Sequence, residues 1–223
     1  MQFEEIKIFN PGLLCAAMPQ QAFEELKVFN NLVWEYNTSE KGPWFYDTMR
    51  PEFNNQSDIR LPESYLKFLY EFSKAYTEYF NYPNKTEYPY LEAGWMNINR
   101  KHEFKSAHSH VPEAHDYEFL SFCTYINIPW DDEAEANYDA TGEGASKNRY
   151  TQFRKVRNGK IEFFFNLLSG KQAYQLVQID KSFEGKTILW PNTMLHAVYP
   201  FYSSDGHRVC FAGNIGLHGK KPT

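Results

Sequence analysis

The chain has 223 residues, sets 23 lysines and arginines against 28 aspartates and glutamates for a net charge of −5, and is 18% aromatic. The acidic balance excludes a general nucleic-acid footprint, and no apolar run approaches the roughly 18 residues of a membrane span. Three widely spaced cysteines (Cys15, Cys123, Cys210) exclude a disulfide framework and fit a reducing, cytoplasmic compartment. The opening Met-Gln-Phe-Glu-Glu lacks the basic and apolar regions of a signal peptide, so none is expected, and the Asn-x-Ser/Thr matches at Asn37, Asn54 and Asn84 read as chance.

Residues 2–9 read as a short strand. Residues 19–36 read as a helix, because Phe23, Leu26, Val33 and Tyr36 recur at helical spacing with Val28 and Leu32 beside them. The stretch 38–61 is loop-like, with Gly42, Pro43, Pro51 and paired asparagines at 54–55. Residues 63–81 read as a second helix, opened by Pro62 and ended before Pro83. Tyr65, Leu69, Phe72, Tyr76 and Tyr79 form its apolar face, widened by Leu66 and Phe68. From residue 90 the apolar period falls from about 3.6 to 2. Strands are expected at 91–99, 104–110, 119–128, 161–167, 172–179, 186–190, 194–199 and 207–215, with Ser169-Gly170 turning a hairpin. Such a series fits an antiparallel barrel or two-sheet roll with helices outside it. The expected fold is mainly β with N-terminal helices (α+β), a single domain over 1–223 with a helical part at 1–89 and a core at 90–216. One insert stands apart: residues 131–143 carry six acids and no base, and residues 147–160 carry six bases and no acid. It is either a solvated loop whose halves attract each other or a flap over a site.

Of seven histidines, four fall within residues 101–116. On a strand His108 and His110 point to one face, and two neutral imidazoles so placed are metal-ligand material. His-x-His alone is a weak signal. His196 follows Gly185 and Trp190-Pro191 on an aliphatic segment; taken alone it is either a core histidine or a third ligand. Arg208 shares a strand face with Cys210, Ala212 and Asn214, opposite Val209 and Phe211. There it either grips an anion inside the barrel or faces water at a strand end. Trp95, Asn97 and Asn99 share a face, as do Ser121, Cys123 and Tyr125. Asn97 and Tyr125 either line a ligand site or are satisfied polar groups at the rim, and Asn99 reads as rim. Cys123 and Cys210 read as buried small hydrophobes. His102, His115, His207 and His218 read as loop or surface residues.

The ordered set of His108-x-His110, His196 and Arg208 resembles the 2-oxoglutarate/Fe(II)-dependent oxygenases over roughly residues 90–216. The likeness is strongest to oxygenase-like proteins of marine bacteriophages. It is carried also by Trp95-Met-Asn-Ile-Asn, by the stretch from Phe104 to His110, and by Ser121-Phe-x-x-Tyr-x-x-x-Pro129. The block of Gly185, Trp190-Pro191, His196, Tyr199-Pro200 and Arg208 completes it. The resemblance implies a double-stranded β-helix (jelly-roll) core and Fe(II) held by His108, His110 and His196. It implies 2-oxoglutarate as cosubstrate, its 5-carboxylate on Arg208, with Asn97 and Tyr125 as further cofactor-binding residues, and O2. The implied reaction is oxidative decarboxylation to succinate and CO2, with a ferryl species hydroxylating a C–H bond; no catalytic residue is implied beyond the metal ligands. Two departures stand out. The family usually has a carboxylate where this chain has His110, and Asp116 (ahead of Glu113 and Glu118) is the alternative ligand. Cys210 stands where a serine is common.

Two other readings compete. A cupin-type metal barrel would have different chemistry, but only two residues separate His110 from Glu113 and no Pro-x-Gly turn precedes His196. A non-catalytic binding or virion module on the same fold would have little use for three histidines and an arginine. The expected partner is an unknown substrate, a small molecule or a protein residue, with prolyl hydroxylation suggested by analogy alone. No general nucleic acid or membrane is expected, and the location is the host cytoplasm if the chain is phage-encoded.

Overall fold

The computed structural model describes residues 12–38, 60–84, 86, 89–110, 119–138, 157–167 and 169–217. The expected strand at 2–9, most of the loop at 38–61, residues 139–156 of the insert, and His115, His218, Glu113, Asp116 and Glu118 lie outside the described residues.

Two helices form the first layer. Helix α1 (Gln20–Thr38) buries Ala22, Leu26, Phe29 and Val33, a stripe at helical spacing. This face is turned from the expected one: Phe29 is inside, while Val28 and Leu32 are 59% and 45% exposed. Helix α2 (Glu63–Phe80) follows Pro62, whose carbonyl accepts from Leu66 N at 3.0 Å. It ends at Asn81, which takes the left-handed conformation (φ 48°) that asparagine tolerates. Tyr65, Phe68, Leu69, Phe72 and Tyr76 are buried, but Tyr79 is 75% exposed, with its ring against Phe80 in the same turn.

Among the described residues, nine antiparallel strands make two sheets. The five-stranded sheet has the order β1-β7-β4-β9-β2, from β1 (Leu14–Ala17), β7 (Lys186–Pro191), β4 (Phe119–Asn127), β9 (Arg208–Gly216) and β2 (Tyr90–Asn99). The four-stranded sheet has the order β3-β8-β5-β6, from β3 (Lys105–His108), β8 (Leu195–Val198), β5 (Ile161–Asn166) and β6 (Gln172–Val177). This is the expected jelly-roll core with flanking helices. Period-2 alternation sorts the residues of the large sheet. Phe122, Ile126, Leu189, Val209, Phe211 and Ile215 face the helices. Cys123, Tyr125, Ile188, Trp190, Cys210 and Ala212 face the small sheet. Each large apolar side chain so buried contributes about 1.5–3 kcal/mol. One polar line crosses the helical interface: Tyr65 Oη bonds Thr124 Oγ1 at 2.6 Å, and Thr124 bonds Thr187 Oγ1 at 2.7 Å.

The hairpin between β5 and β6 closes with Leu167 N donating to Lys171 O at 2.8 Å, and Gly170 supplies the positive φ of 76° that the turn needs. The charged insert is not only a solvated loop. Asp131 caps the short helix α3 (Asp132–Asn137). Glu135 is buried and accepts from Tyr202 N, Ser203 N and Ser203 Oγ. From the basic half, Arg157 pairs with buried Glu162 of β5 at 3.0 Å.

Candidate metal centre and adjoining pocket

The centre is built on strand register. In the β3–β8 pair His108 lies directly opposite His196, and in the β5–β8 pair His196 lies opposite Phe163. His110 reaches the same space by a different route from the expected one. Strand β3 stops at His108, so His110 belongs to the segment beyond it. It is tied down by His110 N donating to Asn192 O at 2.9 Å and Asn192 Nδ2 donating to His110 O at 3.2 Å. One ligand nitrogen from each of the three rings lies within 4.8 Å of the others. Two nitrogens bonded to a common ion at about 2 Å each sit at most about 4 Å apart. Three nitrogens sharing one ion sit closer than that, about 3 Å apart, so the rings would draw together by up to about 2 Å to hold it.

Hydrogen bonds set the tautomers. His108 Nδ1 meets Ser106 O at 2.7 Å, and His196 Nδ1 meets Met194 O at 3.3 Å. A carbonyl only accepts, so each Nδ1 carries a proton, which leaves Nε2 as the nitrogen available to a metal. His110 Nδ1 meets Asn214 Oδ1 at 3.1 Å and Ser121 Oγ at 3.0 Å, and Ser121 Oγ itself donates to Asn214 Oδ1 at 2.9 Å. His110 Nδ1 is thus also a donor. All three rings present Nε2 to the shared space, each braced from behind. Burial, ahead of the neighbouring imidazoles, pulls His196 down to about 3. Burial likewise pulls His110 down to about 4, against the opposing bond from Asn214. Both rings are neutral at physiological pH, the form a metal requires.

Behind the rings a pocket runs between the sheets, lined in part by Trp95, Asn97, Tyr125, Trp190 and Arg208. Arg208 is 1% exposed, so it is not a strand-end residue facing water. Its guanidinium donates to Tyr199 O at 3.1 Å and Asn99 Oδ1 at 3.3 Å, both neutral oxygens. Asn99 is therefore an inner residue and not rim. A buried cation held only by neutral acceptors is costly until an anion joins it. Among the described residues Trp190 Nε1, on the same pocket, is buried without a hydrogen-bond partner. Cys123 and Cys210 are buried free thiols in the same lining. The bond from Cys123, followed by Arg208, draws Cys210 down to about 7 against the effect of burial. His102 and His207 lie apart from the cluster, ringed against Tyr202 and Trp34.

Lys105, Asn192, Ser121 and Asn214 escape sequence reasoning. Ser121 and Asn214 meet because β4 and β9 pair in that register. Each stands on a strand face that carries a candidate site residue, Tyr125 or Arg208, which is the signal that could have found them.

A family model for 2OG-Fe(II) oxygenases matches residues 93–214. The chain belongs to this 2OG-Fe(II) oxygenase family. Solved structures with the same fold include a Pseudomonas putida prolyl-4-hydroxylase, 13% identical over 95% of this chain and 89% of that one, TM-score 0.51. AviO1 from Streptomyces viridochromogenes Tue57 is 10% identical over 96% and 94% of the two chains, TM-score 0.54. A prolyl 4-hydroxylase from Phytophthora capsici is 15% identical over 96% of this chain and 60% of that one, TM-score 0.50. No curated protein matches. Fe(II), 2-oxoglutarate and O2 are the family's cofactors, and together they supply oxidative decarboxylation coupled to oxidation of a second substrate. The donor set fits that group: three imidazoles braced through Nδ1 on one side and a buried guanidinium, bonded to two neutral oxygens, on the other. Among the described residues no helix is long and apolar enough to cross a membrane.

Proposed function

We propose that this oxygenase is a 2-oxoglutarate-dependent hydroxylase in which His108, His110 and His196 hold Fe(II) and Arg208 holds the 5-carboxylate of 2-oxoglutarate. The observation that carries this is the pairing of three imidazoles within reach of one space with a buried guanidinium that, among the described residues, bonds Tyr199 O and Asn99 Oδ1. In this reading the imidazoles fix the metal without adding charge. Tyr125 and Asn97 line the cosubstrate path. Trp190 packs edge-on against His196 and Phe163 stacks on it, keeping water from the metal-binding face. His110 is the third ligand, in preference to Asp116, because its Nδ1 is already braced as a ligand's would be.

A prolyl residue of a protein is the first substrate class to test, since two of the structures sharing the fold are prolyl 4-hydroxylases. A phage origin and a cytoplasmic location belong to the same reading, and the free buried thiols support a reducing compartment. The deciding experiment is anaerobic titration with Fe(II) and then 2-oxoglutarate. A weak visible charge-transfer band should appear, and it should need far more 2-oxoglutarate in Arg208→Ala. An unchanged titration in that variant removes Arg208 from the role. Loss of iron in Asp116→Asn, but not in His110→Ala, would transfer the third-ligand role to the aspartate. Succinate release on adding proline-rich peptides tests the substrate class.

A further inference from the structure

Lys105 stands on β3 three residues before His108 and lines the same pocket. Its Nζ reaches from the edge of the small sheet to the edge of the large one and donates to Asn97 Oδ1 at 2.6 Å. Asn97 and Asn99 are neighbours on one face of β2, paired with Cys210 and Arg208 on β9. Asn97 Oδ1 thus receives Lys105, and Asn99 Oδ1 receives Arg208. Alternate residues on a strand rise about 6.6 Å apart, so two amide oxygens hold two cations side by side at about that spacing. One carboxylate can span it, each oxygen taking a charge-assisted hydrogen bond of about 2.8 Å. The register agrees with this placement: Cys210 stands opposite Asn97 and Arg208 opposite Asn99, and both line the pocket together with Lys105. A neutral amide makes a weaker partner for a cation than a carboxylate does, and both amides can yield to one.

We propose that Lys105 is a second anion-holding residue of this pocket, so that one carboxylate of a dicarboxylate ligand lies between its ammonium and the Arg208 guanidinium. The inference rests on the cosubstrate reading above and adds a residue to it. It makes the pocket selective for dianions over monoanions.

The test uses Zn(II)-loaded protein, which does not turn over, and calorimetric binding of 2-oxoglutarate and of 2-oxobutyrate, which has the same keto-acid head but no second carboxylate. Lys105→Gln keeps a donor for Asn97 and so the link between sheets, but loses the charge. It should weaken 2-oxoglutarate roughly tenfold or more, the worth of one charge-assisted hydrogen bond, with 2-oxobutyrate within about twofold of the parent. Lys105→Arg should restore most of the 2-oxoglutarate affinity. Undiminished 2-oxoglutarate binding in Lys105→Gln, or equal losses for the two ligands, would overturn the assignment. A parent protein that binds neither ligand would instead overturn the cosubstrate reading, and the lysine's role with it.

Discussion

The two faces of the large sheet are made by the same strands and do opposite things. Towards the helices, β4 and β9 present Phe122, Ile126, Val209 and Phe211, sealed under Leu26, Phe29, Leu69 and Phe72. Towards the small sheet, the alternate residues are Ser121, Cys123, Tyr125, Arg208, Cys210 and Asn214, and the histidines gather beyond them. One face is shape and area; the other carries polar groups whose partners are fixed one by one. The lesson is that cohesion and chemistry are separable here at single-residue resolution, because adjacent side chains on a strand never share a side.

The sharpest way to break that separation is a pair of substitutions, one on each face. His196→Ala should abolish stoichiometric iron binding while leaving the metal-free melting temperature near that of the parent, as metal analysis and calorimetry would show. Phe211→Ala, which removes a ring packed against Phe29, Tyr65 and Phe122, should cost about 3–5 kcal/mol in denaturant. The molecules that stay folded should hold full iron. If Phe211→Ala empties the metal site of folded protein, the two faces are not independent.

Asn214→Ala tests an intermediate effect. It deletes the oxygen that braces His110 and receives Ser121, and metal affinity should fall about 10–100-fold with little change in stability. Equal affinity in the variant would mean that the brace does not set the ring.

A further effect is on pH. His196 and His110 sit at about 3 and about 4, below the ordinary 6.5, so the unfolded chain takes up protons first as acid is added. Metal-free stability is therefore complete above about pH 6.5 and declines as pH drops through that value towards 4. Urea midpoints between pH 7 and 5 should show the decline, and His196→Leu should make it shallower. An equal slope in that variant would assign the acid sensitivity to other groups.

Much of this was legible beforehand, for a physical reason. Alternation marked the strands, and it also placed Arg208 and Cys210 on one face and Val209 and Phe211 on the other. What escaped depends on pairing between distant segments. Strand β1 is only Leu-Cys-Ala-Ala, and it exists because Leu14 registers against Leu189 on β7. His110 was placed by strand spacing, yet it stands beyond the strand and is held by Asn192, a partner 82 residues away. Nothing in the sequence singles out Lys105, whose partner Asn97 comes from the neighbouring sheet. In the acidic insert, composition could not mark out Glu135, whose burial depends on backbone amides at 202 and 203.

The facing of His108 and His196 across β3 and β8 has an evolutionary corollary. Side chains on a strand switch sides with every step, so inserting or deleting one residue within 105–108 or 195–198 would swing an imidazole to the opposite side of the small sheet. Hydrogen-bonded pairing could survive such a change. Length variation among descendants of this chain should therefore collect in the connecting loops, and these two four-residue segments should keep their spacing even where their other side chains drift.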